Sequence, residues 1–454
     1  MDPAPTGGTA CISQVSHFGR RNVLGVHVIG RIGRIAALIL CAPMPLWAQQ
    51  YQADEVDNRA NFIAEIHVRN PAGYAAEKQR FADFFERYYF PSMTQFGPDA
   101  LASLGSRRYD LFSRYLWRTE SEELQRDLTE LAFKYMQRVI YSGKYHPAVR
   151  YNAILIVGLL DEQYGVERGA NARPPKPLQK ANTELTRVVD LAAQGQRVPI
   201  SLVVGALVGL ERHATYHESL DRDTVAAMTA AVAKLAAMEE PLAEADRDVS
   251  EWIKLRAASV LAQLGSVGPN NQVHTTLLTM IAGEARPRML LTARCEVAAL
   301  LGKINYEGAT VDGKATGEAI LRLVTEVAKD EAELAKKFDE MHLMGGGYSG
   351  SGRSKGRIRV DELGQPPTYD TRDMLARLRD LRTALAATQS LVPDDMQATY
   401  AAVAAAINPV IDTAQNENAV SLDVTEMARG MADEIQRAIH PAASPSAEDT
   451  DELF

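Results

Sequence analysis

A glycine followed four residues later by a proline occurs three times between stretches of helical periodicity. The pairs are Gly143 with Pro147, Gly195 with Pro199, and Gly283 with Pro287. Glycine tolerates the left-handed backbone conformation that closes a helix, and proline fits the first turn of the next helix. Each pair therefore predicts two antiparallel helices joined by a short turn.

Apolar residues recur with α-helical spacing through most of the chain. Two clear sets are Phe81, Phe84, Phe85 and Tyr88, and Met374, Leu378, Leu381 and Leu385. Alternating β-branched runs are scarce, and the strongest of them, Leu202–Val204, lies in an apolar stretch of helix length. The sequence therefore predicts an all-α fold.

An unusually apolar helix follows each of the three prolines, and a fourth follows an acidic loop near residue 245. We predict these helices at 148–160, 200–210, 252–264 and 289–304, and the amphipathic helices that precede them at 121–142, 178–194, 223–238 and 271–282. This alternation is typical of an α-solenoid, and it predicts about four helical hairpins within residues 119–344. Val149, Ala153, Leu155 and Leu159 are expected to be largely buried between neighbouring units.

Three of the apolar helices share a further pattern. The stretch His146-Pro147-Ala148-Val149-Arg150-x-x-Ala153, followed by Leu159-Leu160, resembles the second helix of a HEAT repeat. Similar stretches are Leu255-Arg256-Ala257-Ala258-x-x-Leu261-x-x-Leu264-Gly265 and Ala293-Arg294-x-x-Val297-Ala298-x-Leu300-Leu301-Gly302. The resemblance covers roughly residues 120–340 and implies a HEAT-like α-solenoid, a fold whose long surface suits recognition of proteins or peptides.

The flanking segments differ in composition from this central region. Residues 51–118 are rich in aromatic side chains and predict an N-terminal helical cap or, alternatively, an aromatic ligand platform. Glycine, serine and proline dominate residues 345–370, which predicts a flexible linker. Residues 371–440 predict a small C-terminal helical bundle, and the acidic residues 441–454 predict a disordered tail.

The first 48 residues have the order of a secretory signal. Four arginines precede Ile35–Trp47, a run of thirteen residues without charge, and small Ala48 follows. The apolar run is too short to span a bilayer, so no stable transmembrane anchor is expected. We therefore predict a signal peptide at 1–48, cleavage near Gln49, and export to the periplasm or the exterior. A twin-arginine route through Arg20-Arg21 and lipidation at Cys41 are alternatives.

The net charge of the chain bears on which class of partner the protein can bind. The formal net charge is −9, and loss of residues 1–48, with four arginines and one aspartate, leaves −12. Nucleic acid binding needs a clustered basic surface, so an acidic body argues against a nucleic acid partner.

His213 and His217 are the candidate metal ligands. They stand four residues apart, so one helix face would hold both imidazoles, with Glu211 and Glu218 nearby. Two such histidines and a carboxylate can bind zinc. The alternative is a solvated helix end, where the helix dipole favours histidine.

Arg353, Lys355, Arg357 and Arg359 form a basic island within the glycine-rich segment. They are candidate contacts for an anionic surface such as lipid headgroups or a cell-wall polymer, and a flexible solvated loop is the alternative. The segment lacks the Gly-x-x-x-x-Gly-Lys-Ser/Thr phosphate motif. No catalytic residue and no cofactor are predicted, and Cys295, among alanines and Val297, is expected to be a buried thiol.

The sequence thus favours an exported, non-enzymatic binding or scaffolding module that recognises a protein or peptide partner in the cell envelope. The alternative is an envelope enzyme, with a metal at His213 and His217 or a site in the 345–360 loop. A purely structural envelope component is a third possibility.

Overall fold

The computed structural model describes residues 51–119, 121–166, 172–242, 245–285, 288–345, 371–416 and 421–440. Helices make up almost all of their regular structure, so the predicted all-α class is confirmed. The α-helices are α1 (Glu65–Arg69), α2 (Tyr74–Asp83), α3 (Phe90–Ser92), α4 (Pro98–Asp110), α5 (Glu122–Tyr141), α6 (Pro147–Leu159), α7 (Gln179–Ala193), α8 (Ile200–Thr215), α9 (Arg222–Ala236), α10 (Arg247–Gln263), α11 (Gln272–Ile281), α12 (Leu291–Leu300), α13 (Gly313–Gly345), α14 (Thr371–Thr388), α15 (Asp394–Gln415) and α16 (Ser421–Ile439).

Shorter elements lie between the α-helices. Single 3₁₀ turns cover Asn58–Ala60, Pro71–Gly73, His217–Ser219, Pro269–Asn271 and Leu301–Lys303, and π-helical turns cover Phe84–Tyr89 and Leu111–Leu116. A two-stranded antiparallel sheet pairs β1 (Asp161–Gln163) with β2 (Lys176–Pro177). Neither strand is predicted from the sequence, because these polar and proline-rich residues lack an alternating apolar pattern.

Each of the four predicted amphipathic helices packs against the apolar helix that follows it, in the pairs α5–α6, α7–α8, α9–α10 and α11–α12. The bounds of these amphipathic helices lie within two residues of the predicted ones. The apolar helices differ more. Helix α8 continues to Thr215, α10 begins five residues earlier than predicted, and α12 is shortened to Leu291–Leu300.

The glycine–proline turns are built in two ways. Gly195 and Gly283 have φ angles of +75° and +74°, the left-handed conformation that the sequence predicts. Gly143 is not left-handed, so that expectation is wrong for the first turn. There Arg150, in the first turn of α6, reaches back and donates two hydrogen bonds to the Ile140 carbonyl at the end of α5, at 2.9 and 2.7 Å. Pro287 lies outside the described residues.

The same cation-to-carbonyl contact recurs in later pairs. Arg294 of α12 donates to the Ile281 carbonyl at 3.0 and 2.9 Å, and Lys254 of α10 donates to the Met238 carbonyl at 2.7 Å. The last carbonyls of a helix lack partners within the helix, and a positive charge there also suits the helix dipole. Arg150 and Arg294 therefore tie the second helix of a pair to the end of the first, and Lys254 ties α10 to the turn that follows α9.

The second helices of the four pairs pack on one another in chain order: α6 on α8, α8 on α10, and α10 on α12. Helix α14 continues this row by packing on α12, and we count it with the second helices. Among the first helices, α7 packs on α9, α9 on α11, and α11 on α13. Helices α14, α15 and α16 do not pack only among themselves, because α14 contacts α12 and α16 contacts α13. The C-terminal helices thus continue the packing of the central region.

Glycines allow α6 and α8 to approach closely. A Cβ atom on Gly158 would lie 2.7 Å from the Gly209 Cα atom, and one on Gly205 would lie 2.3 Å from the side chain of Ile154. Real Cβ atoms do not tolerate such distances, so this contact requires glycine in place of any larger residue.

Several aromatic residues of the N-terminal region form a core. Phe81, Phe85, Phe90 and Phe112 are at most 1% exposed, and Tyr115 packs edge-on against Phe85 at 5.1 Å between ring centroids. These buried rings offer no surface to a ligand, whereas Tyr109 and Trp117 of the same region remain exposed.

Asp54 fixes the first described segment to α5. Its carboxylate accepts hydrogen bonds from Tyr135 and Tyr145, at 2.6 and 2.8 Å, and pairs with Arg138 and Lys144 at 2.8 and 3.0 Å. Burial alone would raise the pKa of Asp54, but the tyrosine and lysine hydrogen bonds and Arg138 outweigh it and lower the pKa. The carboxylate is therefore held in its charged form.

The α6–α8 contact makes a test possible. Gly158→Ala should destabilise the fold by about 1–3 kcal/mol, because overpacking against the Gly209 backbone outweighs the better helix propensity of alanine. Gly430→Ala is the matched control: it lies within α16, and an added Cβ there meets no atom within 4 Å. That change should stabilise by up to about 1 kcal/mol. Thermal or urea unfolding followed by circular dichroism measures both, and equal effects would contradict the close approach.

Candidate binding face

Each helix of the row α6–α8–α10–α12–α14 carries partly or fully exposed residues, and side-chain contacts join those of α8 to those of α10. We call this set of residues the open face. Its partly or fully exposed residues include Tyr151 and Leu155 of α6, Val204 and Val208 of α8, Trp252, Arg256 and Ser259 of α10, Glu296 of α12 and Asp380 of α14. They follow one another at helical spacing, as side chains on one face do.

Val149 and Ala153 of α6 are fully buried, and Leu155 and Leu159 are partly buried. Leu159 packs against the core. The fully buried side of α6 also includes Ile154, Ile156 and Val157. The register of an apolar helix is hard to assign from sequence because nearly every position is apolar.

A polar network crosses the open face between α8 and α10. Glu211 accepts hydrogen bonds from Arg256, at 3.2 and 3.0 Å, and from the Ser259 hydroxyl at 2.6 Å. The Arg256 guanidinium also lies over the Trp252 ring, 5.3 Å from its centroid. An arginine held by a carboxylate and an aromatic ring is pre-organised, and such residues are frequent anchors in protein interfaces.

A buried ion pair joins the end of α6 to α8. Asp161 is only 2% exposed and accepts hydrogen bonds from Arg212 at 2.8 and 2.6 Å. Burial raises the pKa of Asp161 to about 6, although the charge of Arg212 opposes the shift. Because both Asp161 oxygens accept from Arg212, this pair restricts the position of α8 relative to the residues that follow α6.

Two carboxyl groups of α12 and α14 share one region of the open face. Loss of hydration, followed by the charge of Glu296, raises the pKa of Asp380 to about 6. Burial, with the neighbouring charge of Glu211, raises the pKa of Glu296, although that side chain keeps part of its surface in water. At the end of the open face formed by α12 and α14, negative charge on these carboxyl groups therefore destabilises the folded chain.

His213 and His217 are not brought together. The ring of His213 is fully buried, and its Nδ1 atom lies 3.3 Å from the Asn182 amide nitrogen. Burial lowers the pKa of His213 to about 3, so the ring is neutral. Helix α8 ends at Thr215, which places His217 in the following 3₁₀ turn, where its Nδ1 atom contacts the Ala214 carbonyl at 2.8 Å.

Other predicted features fall elsewhere. The signal peptide at 1–48, the basic island (Arg353, Lys355, Arg357 and Arg359), nearly all of the 345–370 segment and the 441–454 tail lie outside the described residues. Cys295 is buried, which raises its thiol pKa to about 12. Within the described ranges, no cluster of three or more His, Cys, Asp or Glu side chains could hold a metal ion. None of the helices in those ranges combines the length and the apolar character needed to cross a membrane.

We compared the chain with known proteins. No protein family model matches the chain, and none of the curated proteins searched matches it.

The pairing of Glu211 with Arg256 and the crowding of Asp380 are not among the sequence-based site predictions. The sequence singles out Glu211 only as a carboxylate near His213 and His217, and Arg256 only as part of the HEAT-like pattern. Its carboxylate partner lies 45 residues earlier in the chain, a separation that no local pattern reports.

The raised pKa of Asp380 gives a pH-dependent prediction. The pKa of Asp380 is higher in the folded chain than in the unfolded chain, so the folded chain is stabilised when this carboxyl is neutral. That stabilisation is complete below about pH 4 and is lost as the pH rises through about 6. Asp380→Asn should therefore match the wild type near pH 4 and melt at a higher temperature at pH 7. Asp433→Asn, at an exposed position of α16, is the control and should show no such change between the two pH values. A difference in Tm for Asp380→Asn that is the same at both pH values would contradict the assignment.

Proposed function

We propose that the described helices form a HEAT-like α-solenoid and that the protein is an exported, non-enzymatic binding or scaffolding module. It recognises a protein or peptide partner of the cell envelope through the open face. The observation that supports this most directly is the unbroken packing of second helices from α6 to α14, each of which keeps exposed or partly exposed residues among the described ranges.

The residues of the open face suit recognition of a protein surface. Tyr151, Val204 and Val208 supply apolar area, and Trp252 with Arg256 supplies an aromatic–guanidinium anchor. Interfaces are enriched in aromatic residues and arginine, and a small number of well-positioned anchors provides most of the binding energy. Because these side chains lie on helices locked by buried contacts, binding would require little reordering.

The alternative of a metal-dependent enzyme at His213 and His217 receives no support from their positions. A shared metal would need both rings on one surface, yet His213 points into the core between α7 and α8. The other enzymatic alternative, the 345–360 loop, lies almost entirely outside the described residues.

Site-specific photocrosslinking in living cells tests the proposal. A photoreactive amino acid at Val204 or Ser259, on the open face, should give adducts with one partner protein or peptide. The same probe at Ala226, an exposed position of α9, should not. Arg256→Glu, added to the Val204 probe, should reduce the adduct at least about tenfold, as for loss of an interface anchor.

Two outcomes would contradict parts of the proposal. Equal adducts from Ala226 and Val204, or adducts that Arg256→Glu leaves unchanged, would remove the open face as the binding surface. The recovered protein should come from the envelope or exterior and begin near Gln49, and intact Met1 in the cytoplasmic fraction would contradict export.

A further inference from the structure

A second exposed surface lies at the N-terminal end of the helix array. Four of the nine large apolar side chains that the described residues expose belong to α1, the turn before it, and the end of the α4 segment. They are Ile63, Ile66, Tyr109 and Trp117, exposed to 67, 57, 63 and 51%. We call this set the terminal face. Single exposed apolar side chains are ordinary, but several close together mark an interaction site.

The two halves of the terminal face are held together by contacts. Helix α1 packs against the π-helical turn Leu111–Leu116, and Arg114 of that turn pairs with Glu65 of α1 at 3.5 Å. On the α4 side, the rings of Tyr109 and Trp117 meet edge-on, 6.5 Å apart. The exposed isoleucines and aromatic rings thus flank one ion pair.

An end layer of a helical array normally has a polar outer surface, because an apolar one would stack on another unit. This end layer exposes tryptophan, tyrosine and isoleucine instead. Tryptophan and tyrosine are enriched at interface hot spots, whereas a terminal cap that only protects the core has no use for them on its outer side.

Charge indicates which partner fits. Residues 51–119 contain nine lysines and arginines and nine aspartates and glutamates, whereas residues 120–454 contain 36 and 48. Two copies of an acidic protein repel one another through most of their surface, but not through a neutral end. An anionic lipid surface would favour an excess of cations, whereas cations and anions are equal in number over residues 51–119.

We propose that the terminal face joins two copies of this chain in a two-fold symmetric dimer. In such an interface the same patch meets itself, so Trp117 and Ile66 of one copy bury those of its partner. This interface is independent of the open face, because α6, α8, α10, α12 and α14 contribute no residue to it.

Sedimentation equilibrium of the purified protein tests the dimer. Between about 1 and 100 μM at 0.15 M salt, the wild type should change from monomer to dimer, as expected for a transient interface. Trp117→Glu and Ile66→Glu should each raise the dissociation constant at least about tenfold. Leu334→Glu is the control: Leu334 of α13 is 41% exposed but lies outside the terminal face, and its replacement should leave the dimer unchanged.

Circular dichroism of each variant separates loss of the interface from loss of the fold. Because Ile66 is more exposed than Trp117, Ile66→Glu should retain wild-type Tm, which keeps the test valid if Trp117→Glu unfolds. A wild type that stays monomeric at 100 μM, or a folded Ile66→Glu variant that dimerises as before, would overturn the proposal. Trp117-dependent cosedimentation of a monomeric protein with phosphatidylglycerol vesicles would overturn it in favour of a lipid surface.

Discussion

The close approach of α6 and α8 sets the geometry on which the open face depends. Gly158 and Gly209 bring the two backbones so near that a Cβ atom on either residue would meet the Cα atom of the other at under 3 Å. Leu185 of α7 lies against the same point, so the first and second helices meet there as well. Glycine in a helix interior costs about 1 kcal/mol relative to alanine, and the packing that it allows offsets that cost.

Polar contacts then fix the angle at which each layer follows the last. Arg150 and Arg294 bind the carbonyl ends of the preceding helices, while Asp161 and Arg212 join α6 to α8. A buried ion pair adds little net stability, because both charges lose their hydration. Its directional hydrogen bonds do penalise any other arrangement, and they therefore hold the open face, the proposed binding surface, in one geometry.

Local patterns predicted the local structure well. Helical periodicity placed the amphipathic helices within two residues, because amphipathic spacing is repeated several times in each helix. Contacts between residues far apart in sequence were not predicted. Glu211 and Arg256 meet only because α8 and α10 pack, and the β1–β2 sheet depends on pairing across a loop. The His213–His217 prediction assumed a helix that continues past Thr215, whereas the chain turns there.

The two proposed surfaces differ in a way that follows from their positions in the array. On the open face, Arg256 is already held by Glu211 and Trp252, so the proposed partner would meet charges in fixed positions and would be selected by complementarity. On the terminal face, the apolar side chains are exposed with no neighbour beyond them among the described residues, and burial against any matching patch is favourable. Joining two copies through the terminal faces would leave both open faces free. A partner with two binding segments would then meet the second face at high effective concentration, so weak contacts at each face could add up to firm attachment.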